Sequence, residues 1–303
     1  MDFSSLINDI RSALPQLDLR ENEPMREHCS FRVGGPAAAM ALPASAQELE
    51  ALCILLRRAG VKPLLIGNGT NILPPDEGLD RFVIVSCPGV GRISAEGACV
   101  TADCGTTLAA TATAAAEAGL AGLEFAHGIP GSVGGGVVMN AGAYGGELKD
   151  AVARTVYLDE DLQKRTVTGA EHDFSYRHSV FSGRDVIILQ TAFALVPDDR
   201  AAIQERMRTL AAKRRASQPL DMPSAGSTFK RPAGGYAAAL IDEAGLKGYA
   251  VGGAQVSEKH AGFVVNTGSA TCADILRLME HIQQTVLSRS GIQLEPEVLI
   301  LRS

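Results

Sequence analysis

Residues 125–147 read FAHGIPGSVGGGVVMNAGAYGGE. Between Gly128 and Gly146 eight of nineteen residues are glycine: Gly128, Gly131, Gly134, Gly135, Gly136, Gly142, Gly145 and Gly146. Ordinary usage of about 7% gives one or two. Glycine loses more backbone entropy on folding than any other residue, so such a run needs a structural reason. The usual reasons are turns with positive φ, or backbone that must lie directly against something. Ile129, Val133, Val137, Val138 and Met139 are interleaved, and charge is absent until Glu147. A flexible linker would be polar. The stretch therefore reads as an ordered, buried loop whose bare N–H groups face an anion or a flat ring, or as a glycine-rich turn that only packs.

A second glycine turn lies upstream. In LLIGNGTNIL an apolar strand runs into Gly67, Asn68, Gly69, Thr70 and Asn71, then turns apolar again. Two glycines around a polar turn at a strand end make an anion-binding nest. No G-x-G-x-x-G opens a helix here and no Gly-Lys follows, so neither the dinucleotide fingerprint nor a Walker loop is present. Together the two loops suggest a ligand with a diphosphate and a flat ring, a flavin dinucleotide.

Around these loops the chain alternates between helical and strand patterns. Apolar spacing predicts a helix over 2–14, an acidic loop between Pro15 and Pro24, and a short strand, a Gly-Gly-Pro turn and a second strand in SFRVGGPAAAMALPAS. Ser45 and Glu48 form a capping box for a helix over 44–59, closed by Gly60. VKPLLIGNGTNILPPDEGLDRFVIV reads as strand, glycine turn, Pro-Pro loop and strand, so that the chain up to Val85 has βαβ-like alternation. Beyond Gly91 a hairpin turning at Glu96-Gly97, an alanine-rich helix over 108–118, and strands around Asp159–Asp161 and along DVIILQTAFALVP are expected. A basic amphipathic helix over 201–217 follows, then helices over 237–244 and 272–288, a strand pair in VGGAQVSEKHAGFVVN and a terminal strand in EPEVLIL. The fold class is mixed α+β, divided into residues 1–199 (subdomains about 1–90 and 91–199) and a smaller α+β domain over 200–303.

The 303 residues are 46% hydrophobic and 20% charged, with mean hydropathy +0.09 and a net charge of −6. No basic footprint points to nucleic acid. Tryptophan is absent and aromatics are 5%, which disfavours a stacking platform. Six scattered cysteines form no C-x-x-C pair, and the histidines show no metal-ligand spacing, so no metal is expected. The N-terminus carries early acids and no continuous apolar core, and no apolar run reaches membrane length. The expectation is a cytoplasmic protein without membrane insertion or an obligate protein partner.

Outside the glycine loops the residues leave choices open. Arg177 in YRHSVF offers a fork of donors to a carboxylate or a developing oxyanion, or is a solvated loop arginine. Ser227 and Lys230 in PSAGSTFKRP can serve a phosphate or donate a proton, or belong to a capping loop. Glu295 and Glu297 flank Pro296 and would share one strand face, either inward or towards water. His127, beside the glycine loop, reads as a packed histidine and not as a covalent flavin tether.

FRVGGPA, GNGTNIL, GIPGSVGGGVVMNAGAYGGE, YRHSVF, QPLDMPSAGSTFKRP, GLKGYAVGGAQVSEKHAGFVVN and LEPEV, in this order, closely resemble the UDP-N-acetylenolpyruvoylglucosamine reductase family, in its compact type II form. The resemblance implies a two-subdomain FAD-binding domain of the PCMH/vanillyl-alcohol-oxidase type and a substrate domain. It implies non-covalent FAD, NADPH as hydride donor, and reduction of the enolpyruvyl ether of UDP-N-acetylglucosamine to UDP-N-acetylmuramate for peptidoglycan. By motif position, Ser227 matches the proton donor, and Arg177 and Glu297 match the groups that stabilise the enolate-like intermediate. Glu297, beside a carboxylate substrate, is then expected to work protonated. Cofactor contacts are expected from Gly67, Asn68, Gly69, Thr70, Asn71, Gly128, Pro130, Gly131, Ser132, Gly134, Gly135, Asn140, Gly142, Ala143 and Tyr144, and substrate contacts from Tyr176, Lys230 and His260. Arg231 and Leu299 depart from the pattern, where asparagine and arginine are often found. Two alternatives are another flavin oxidoreductase of the superfamily and a non-catalytic sugar-nucleotide binder.

Overall fold

The computed structural model describes residues 3–87 and 89–303. The chain forms two compact units: Met1–Arg20, Ala39–Asn68 and Phe82–Arg214 in the first, and Glu21–Ala38, Gly69–Arg81 and Arg215–Ser303 in the second. The helices are α1 (Ser4–Ala13), α2 (Ala46–Arg58), α3 (Leu108–Glu117), α4 (Val133–Val138), α5 (Arg200–Ser217), α6 (Ala237–Glu243) and α7 (Cys272–Ser290). The expected division at 199/200 falls at the first residue of α5, whereas the units part at 214/215 near its end. Of the helix expected over 2–14, Asp2 lies outside the described residues.

In the first unit a five-stranded antiparallel sheet has the order Lys164–Thr168, Val152–Leu158, Ile187–Ala194, Cys99–Asp103, Ile93–Glu96. Gly97, at φ +57, turns the last pair, in the register Glu96 opposite Cys99. Phe181 and Phe193 are fully buried, and Tyr157 meets Phe181 edge-on at 5.1 Å between centroids. Thr107 caps α3 by accepting from Ala110 N at 3.1 Å, and Gly119 at φ +72 ends it.

A four-stranded sheet has the order Asp18–Pro24, Pro36–Leu42, Leu79–Val85, Leu64–Ile66, the last two parallel. Ser45 caps α2 as expected, accepting from Glu48 N at 3.1 Å, but the reciprocal half of the box does not form: Glu48 Oε2 accepts from Ala44 N at 2.6 Å and not from Ser45 N. Leu49, Leu52, Cys53 and Leu56 make its buried face.

The second unit holds a three-stranded antiparallel sheet, Ala250–Val251, Ala254–Val256 and Val264–Asn266, packed against α7. Thr271 and Asp274 form a capping box on α7, and Asp76 accepts from Cys272 N at 2.7 Å and Ala273 N at 2.9 Å. Its buried face carries Ile275, Leu278, Met279, Ile282 and Val286.

Four expectations change. Residues 18–24 are an edge strand, not a loop; its charged, half-buried pattern is what edges carry. The short strand expected in SFRV is absent, because Arg32 sits at φ +56 and its N–H closes a turn onto Cys29 O at 3.0 Å. The central glycine stretch contains a helix. The terminal strand shrinks to Leu299–Ile300, parallel to Ile72–Leu73, with Pro296 in an isolated bridge to Phe229; Glu295 and Glu297 therefore do not share a strand face. All six cysteines are free, five buried and Cys99 half-buried; burial pushes the Cys53, Cys104 and Cys272 thiols up to about 12.

Candidate active site

Ser132 is the N-cap of α4 and accepts from Gly135 N at 3.2 Å. The glycines of this helix are needed for packing. A Cβ on Gly134 would stand 3.1 Å from Cys104 Cβ, and one on Gly136 would stand 3.0 Å from both Leu108 and Leu148. Helix backbone thus lies on α3 and the sheet without intervening side chains, while Gly135 stays exposed. Gly67 comes so close to Ser132 that its missing Cβ would fall 2.0 Å from Oγ. Asn68 Nδ2 donates to Pro130 O at 2.6 Å. Gly67 and Asn68 of the upstream loop are therefore brought against the central glycine stretch within the first unit, while Gly69, Thr70 and Asn71 belong to the second. Among the described residues, the N–H groups of Gly67, Asn68, Gly131 and Ser132 meet no protein acceptor. Clustered unpaired amides beside a glycine surface suit a phosphate or a carbonyl-bearing ring.

After α4 the chain enters a hairpin, Gly142–Ala143 with Gly146–Glu147. Tyr144 and Gly145 at its tip both have positive φ, 54° and 90°, as a two-residue type I′ turn requires. Gly146 lies on the Phe125 ring, where a Cβ would sit 2.5 Å from Cδ1. Asn140, expected to touch cofactor, is fully buried and spends its amide inside the protein. It accepts from Lys149 N at 2.9 Å and donates to Glu147 Oε2 and Ser175 O, each at 3.0 Å.

Arg177 occupies a tight turn in which Ser175 and His178 exchange main-chain hydrogen bonds at 3.2 Å. Its φ is +56, a conformation costing a non-glycine residue about 1–2 kcal/mol and kept only where the surroundings impose it. Three buried polar residues do so. Asn140 holds Ser175; Ser179 Oγ donates to Val138 O at 2.8 Å; His172 bonds Gly169 O at 3.0 Å and Thr155 Oγ1 at 2.9 Å. The Arg177 guanidinium lies 4.9 Å from the centre of the exposed Tyr176 ring.

Arg214 is the residue the sequence reading missed. Gly128, given a Cβ, would put it 3.2 Å from Arg214 Cδ. Burial pulls its guanidinium below the ordinary arginine range, with Tyr144 opposing, and among the described residues no carboxylate pairs with it. A usable signal existed. Arg214 continues the i, i+4, i+7 face begun by Ile203, Met207 and Leu210, so it points with the apolar residues.

In the second unit Thr228 is the anchor. Its N–H donates to Gly262 O at 2.8 Å, its Oγ1 accepts from Val264 N at 3.0 Å, and its carbonyl accepts from Glu297 N at 2.9 Å. Ser227, exposed, and Glu297, half-buried, are thereby brought side by side along the chain. Asn71 Nδ2 donates to Glu297 O at 3.2 Å. Gly69, at φ +59, lies on the His28 carbonyl so closely that no side chain fits, and its own carbonyl accepts from Ser30 N. Lys230 Nζ pairs with Glu295 at 3.4 Å, both largely exposed. His260 Nδ1 accepts from Gly262 N at 3.2 Å, so its hydrogen is on Nε2; burial, with Lys247 adding, holds its pKa below the usual range. Leu299 is 57% exposed, and Arg231 lies 3.9 Å over the Tyr236 ring.

Residues 218–301 match the C-terminal domain of UDP-N-acetylenolpyruvoylglucosamine reductase, and residues 37–162 match an FAD binding domain. The UDP-N-acetylenolpyruvoylglucosamine reductase of Agathobacter rectalis is 47% identical over 98% of this chain and 98% of its own. The chain belongs to the UDP-N-acetylenolpyruvoylglucosamine reductase family. The crystal structure of the reductase from Thermus caldophilus superposes with a TM-score of 0.80 at 31% identity, over 95% of this chain and 99% of that one. An alkyldihydroxyacetonephosphate synthase shares the fold at a TM-score of 0.50 and 13% identity, over 65% of this chain and 41% of that one. The fold is the mixed α+β flavoprotein architecture expected, and the chain is an FAD-dependent oxidoreductase. Among the described residues, no group of histidine, cysteine and carboxylate side chains could hold a metal, and no helix is long and apolar enough to cross a membrane.

Proposed function

We propose that the chain reduces the enolpyruvyl ether of UDP-N-acetylglucosamine to UDP-N-acetylmuramate with NADPH, supplying a peptidoglycan precursor. The observation that carries this reading is 47% and 44% identity, each over 98% of the chain, to reductases of that name. The unpaired amides of Gly67, Asn68, Gly131 and Ser132 and the exposed backbone of Gly135 suit the cofactor. FAD held there would supply the hydride chemistry that couples oxidation of NADPH to reduction of the vinyl group.

This chain's residues manage charge and proton. Hydride addition to an unsaturated carboxylate builds negative charge on its oxygens, and Arg177, preset by its left-handed turn, is the counter-charge. Ser227 donates the proton to the adjacent carbon, a role that needs close placement and little water because a serine hydroxyl is a poor acid. Glu297, set beside Ser227 by its main-chain bond to Thr228, serves the same intermediate. Lys230 takes the diphosphate, since leaving an exposed partner such as Glu295 costs at most about 1 kcal/mol. His260 offers Nε2–H to the sugar nucleotide, and Tyr176 lies beside Arg177. Six free cysteines support a reducing, cytoplasmic setting, and the substrates are small molecules with no obligate protein partner.

The test is the anaerobic visible spectrum of purified protein. NADPH should bleach the flavin band, and enolpyruvyl-UDP-N-acetylglucosamine should restore it. Bleaching without restoration would discard the substrate and keep the flavoenzyme.

A further inference from the structure

We propose that Glu147, through Asn140, is a positioning residue for the turn that carries Arg177. The proposal depends on the reading of Arg177 as counter-charge to the reacting carboxylate.

The bracket is built from one amide. Asn140 is completely buried at φ +42, and its side chain joins three segments: Lys149 N on its oxygen, and Glu147 Oε2 and Ser175 O on its nitrogen. Only one orientation of the amide satisfies all three, because the reverse would aim oxygen at two acceptors. Ser175 starts the turn that carries Arg177. The same nitrogen therefore holds the carboxylate of Glu147 and the backbone of the arginine loop.

Glu147 is equally constrained. It faces Gly142 across the hairpin, where any Cβ on Gly142 would come within 2.7 Å of Glu147 Cγ. The carboxylate can cross the hairpin only because position 142 has no side chain. Lys149 Nζ lies 2.7 Å from Oε2. The hydrogen bond from Lys149 holds the Glu147 carboxyl below the usual carboxylate range against the opposing effect of burial, with Asn140 and the charges of Lys149 and Arg177 adding to the shift. The Glu147 carboxylate and the turn that carries Arg177 are thus fixed on one amide, and removing the charge at position 147 alters the field around that turn.

Glu147 also caps the short 3₁₀ turn Leu148–Asp150 in a capping box with Asp150. A merely structural cap is thus the competing account, and Glu147→Gln separates the two. Glutamine removes the charge and keeps one acceptor oxygen, whereas aspartate keeps the charge on a shorter side chain.

The experiment follows the two half-reactions of the FAD-loaded enzyme by stopped flow for wild type, E147Q, E147D, R177Q and the double variant E147Q/R177Q. E147Q is expected to reduce its flavin with NADPH within about twofold of wild type. Its reoxidation by enolpyruvyl-UDP-N-acetylglucosamine is expected to slow about tenfold, the loss of one charge-assisted restraint, with E147D recovering part of it. The double variant should be no slower than R177Q, since Glu147 acts through Arg177. Additive losses, or equal rates for E147Q and E147D, would overturn the positioning role and leave Arg177 in place. An R177Q enzyme reoxidised at the wild-type rate would overturn both.

Discussion

The main-chain N–H of Glu297 donates to the carbonyl of Thr228 at 2.9 Å, which brings Ser227 and Glu297 together from stretches far apart in sequence. The hydrogen bond involves no side chain of either residue. Each can be replaced without removing the contact that places the other.

Ser227→Ala should therefore fold normally and reduce its flavin with NADPH. Its reoxidation by the enolpyruvyl sugar nucleotide is expected to fall by about 10²–10⁴, the usual contribution of a positioned proton donor. Stopped-flow absorbance of the flavin reads both steps, and turnover at the wild-type rate would remove Ser227 from the role.

Gly67→Ala would place a methyl on Ser132 Oγ, which caps α4 and accepts from Gly135. FAD affinity should drop at least about tenfold, equivalent to about 1.4 kcal/mol. Fluorescence titration of the apoprotein with FAD measures it.

Asn266 is buried, donates to Phe31 O at 2.9 Å and accepts from Gly268 N at 2.8 Å and Ala270 N at 3.0 Å. Asn266→Ala strands three main-chain groups. A loss of about 1–3 kcal/mol is expected from urea unfolding with the m-value unchanged. A variant as stable as wild type would show that water replaces the amide without cost.

His172 must carry its hydrogen on Nδ1, because its partner there is the Gly169 carbonyl. Burial holds its pKa below the usual 6.5, against the raising effects of that carbonyl and Glu171. On acidification the unfolded chain takes up the proton first. The stabilisation is complete above 6.5 and is lost as pH falls towards the lower folded-state value. Urea midpoints measured from about pH 7 down to about pH 5 should decline, and less steeply in His172→Gln. Equal slopes would show that other groups control the acid limb.

What could be read from sequence was what is encoded locally. The Ser45 cap, the Glu96-Gly97 turn and the apolar face of α7 involve residues a few positions apart, and all formed as expected. The strand over 18–24 escaped because an edge exposes charge. Helix α4 escaped because glycine is a poor helix former, and its glycines are explained only by Cys104, Leu108 and Leu148 lying against them. The two glycine loops were legible as loops. That Asn140 would serve Ser175, 35 residues away, and not face outwards was not. Arg214 hid among the other basic residues of α5 and is distinguished only by what covers it.

The second unit assembles from three separated stretches, and this affects the protein's synthesis. Asn71 is paired with Glu297, 226 residues later, and Ile72 with Leu299. At a ribosomal rate of about 5–20 residues per second, the early segments wait about 10 to 45 s for their partners. Throughout that interval Ile72 and Leu73, both buried in the finished protein, have no strand to pair with. The nascent chain thus passes through a stage in which the second unit is unfinished and open to chaperones and proteases.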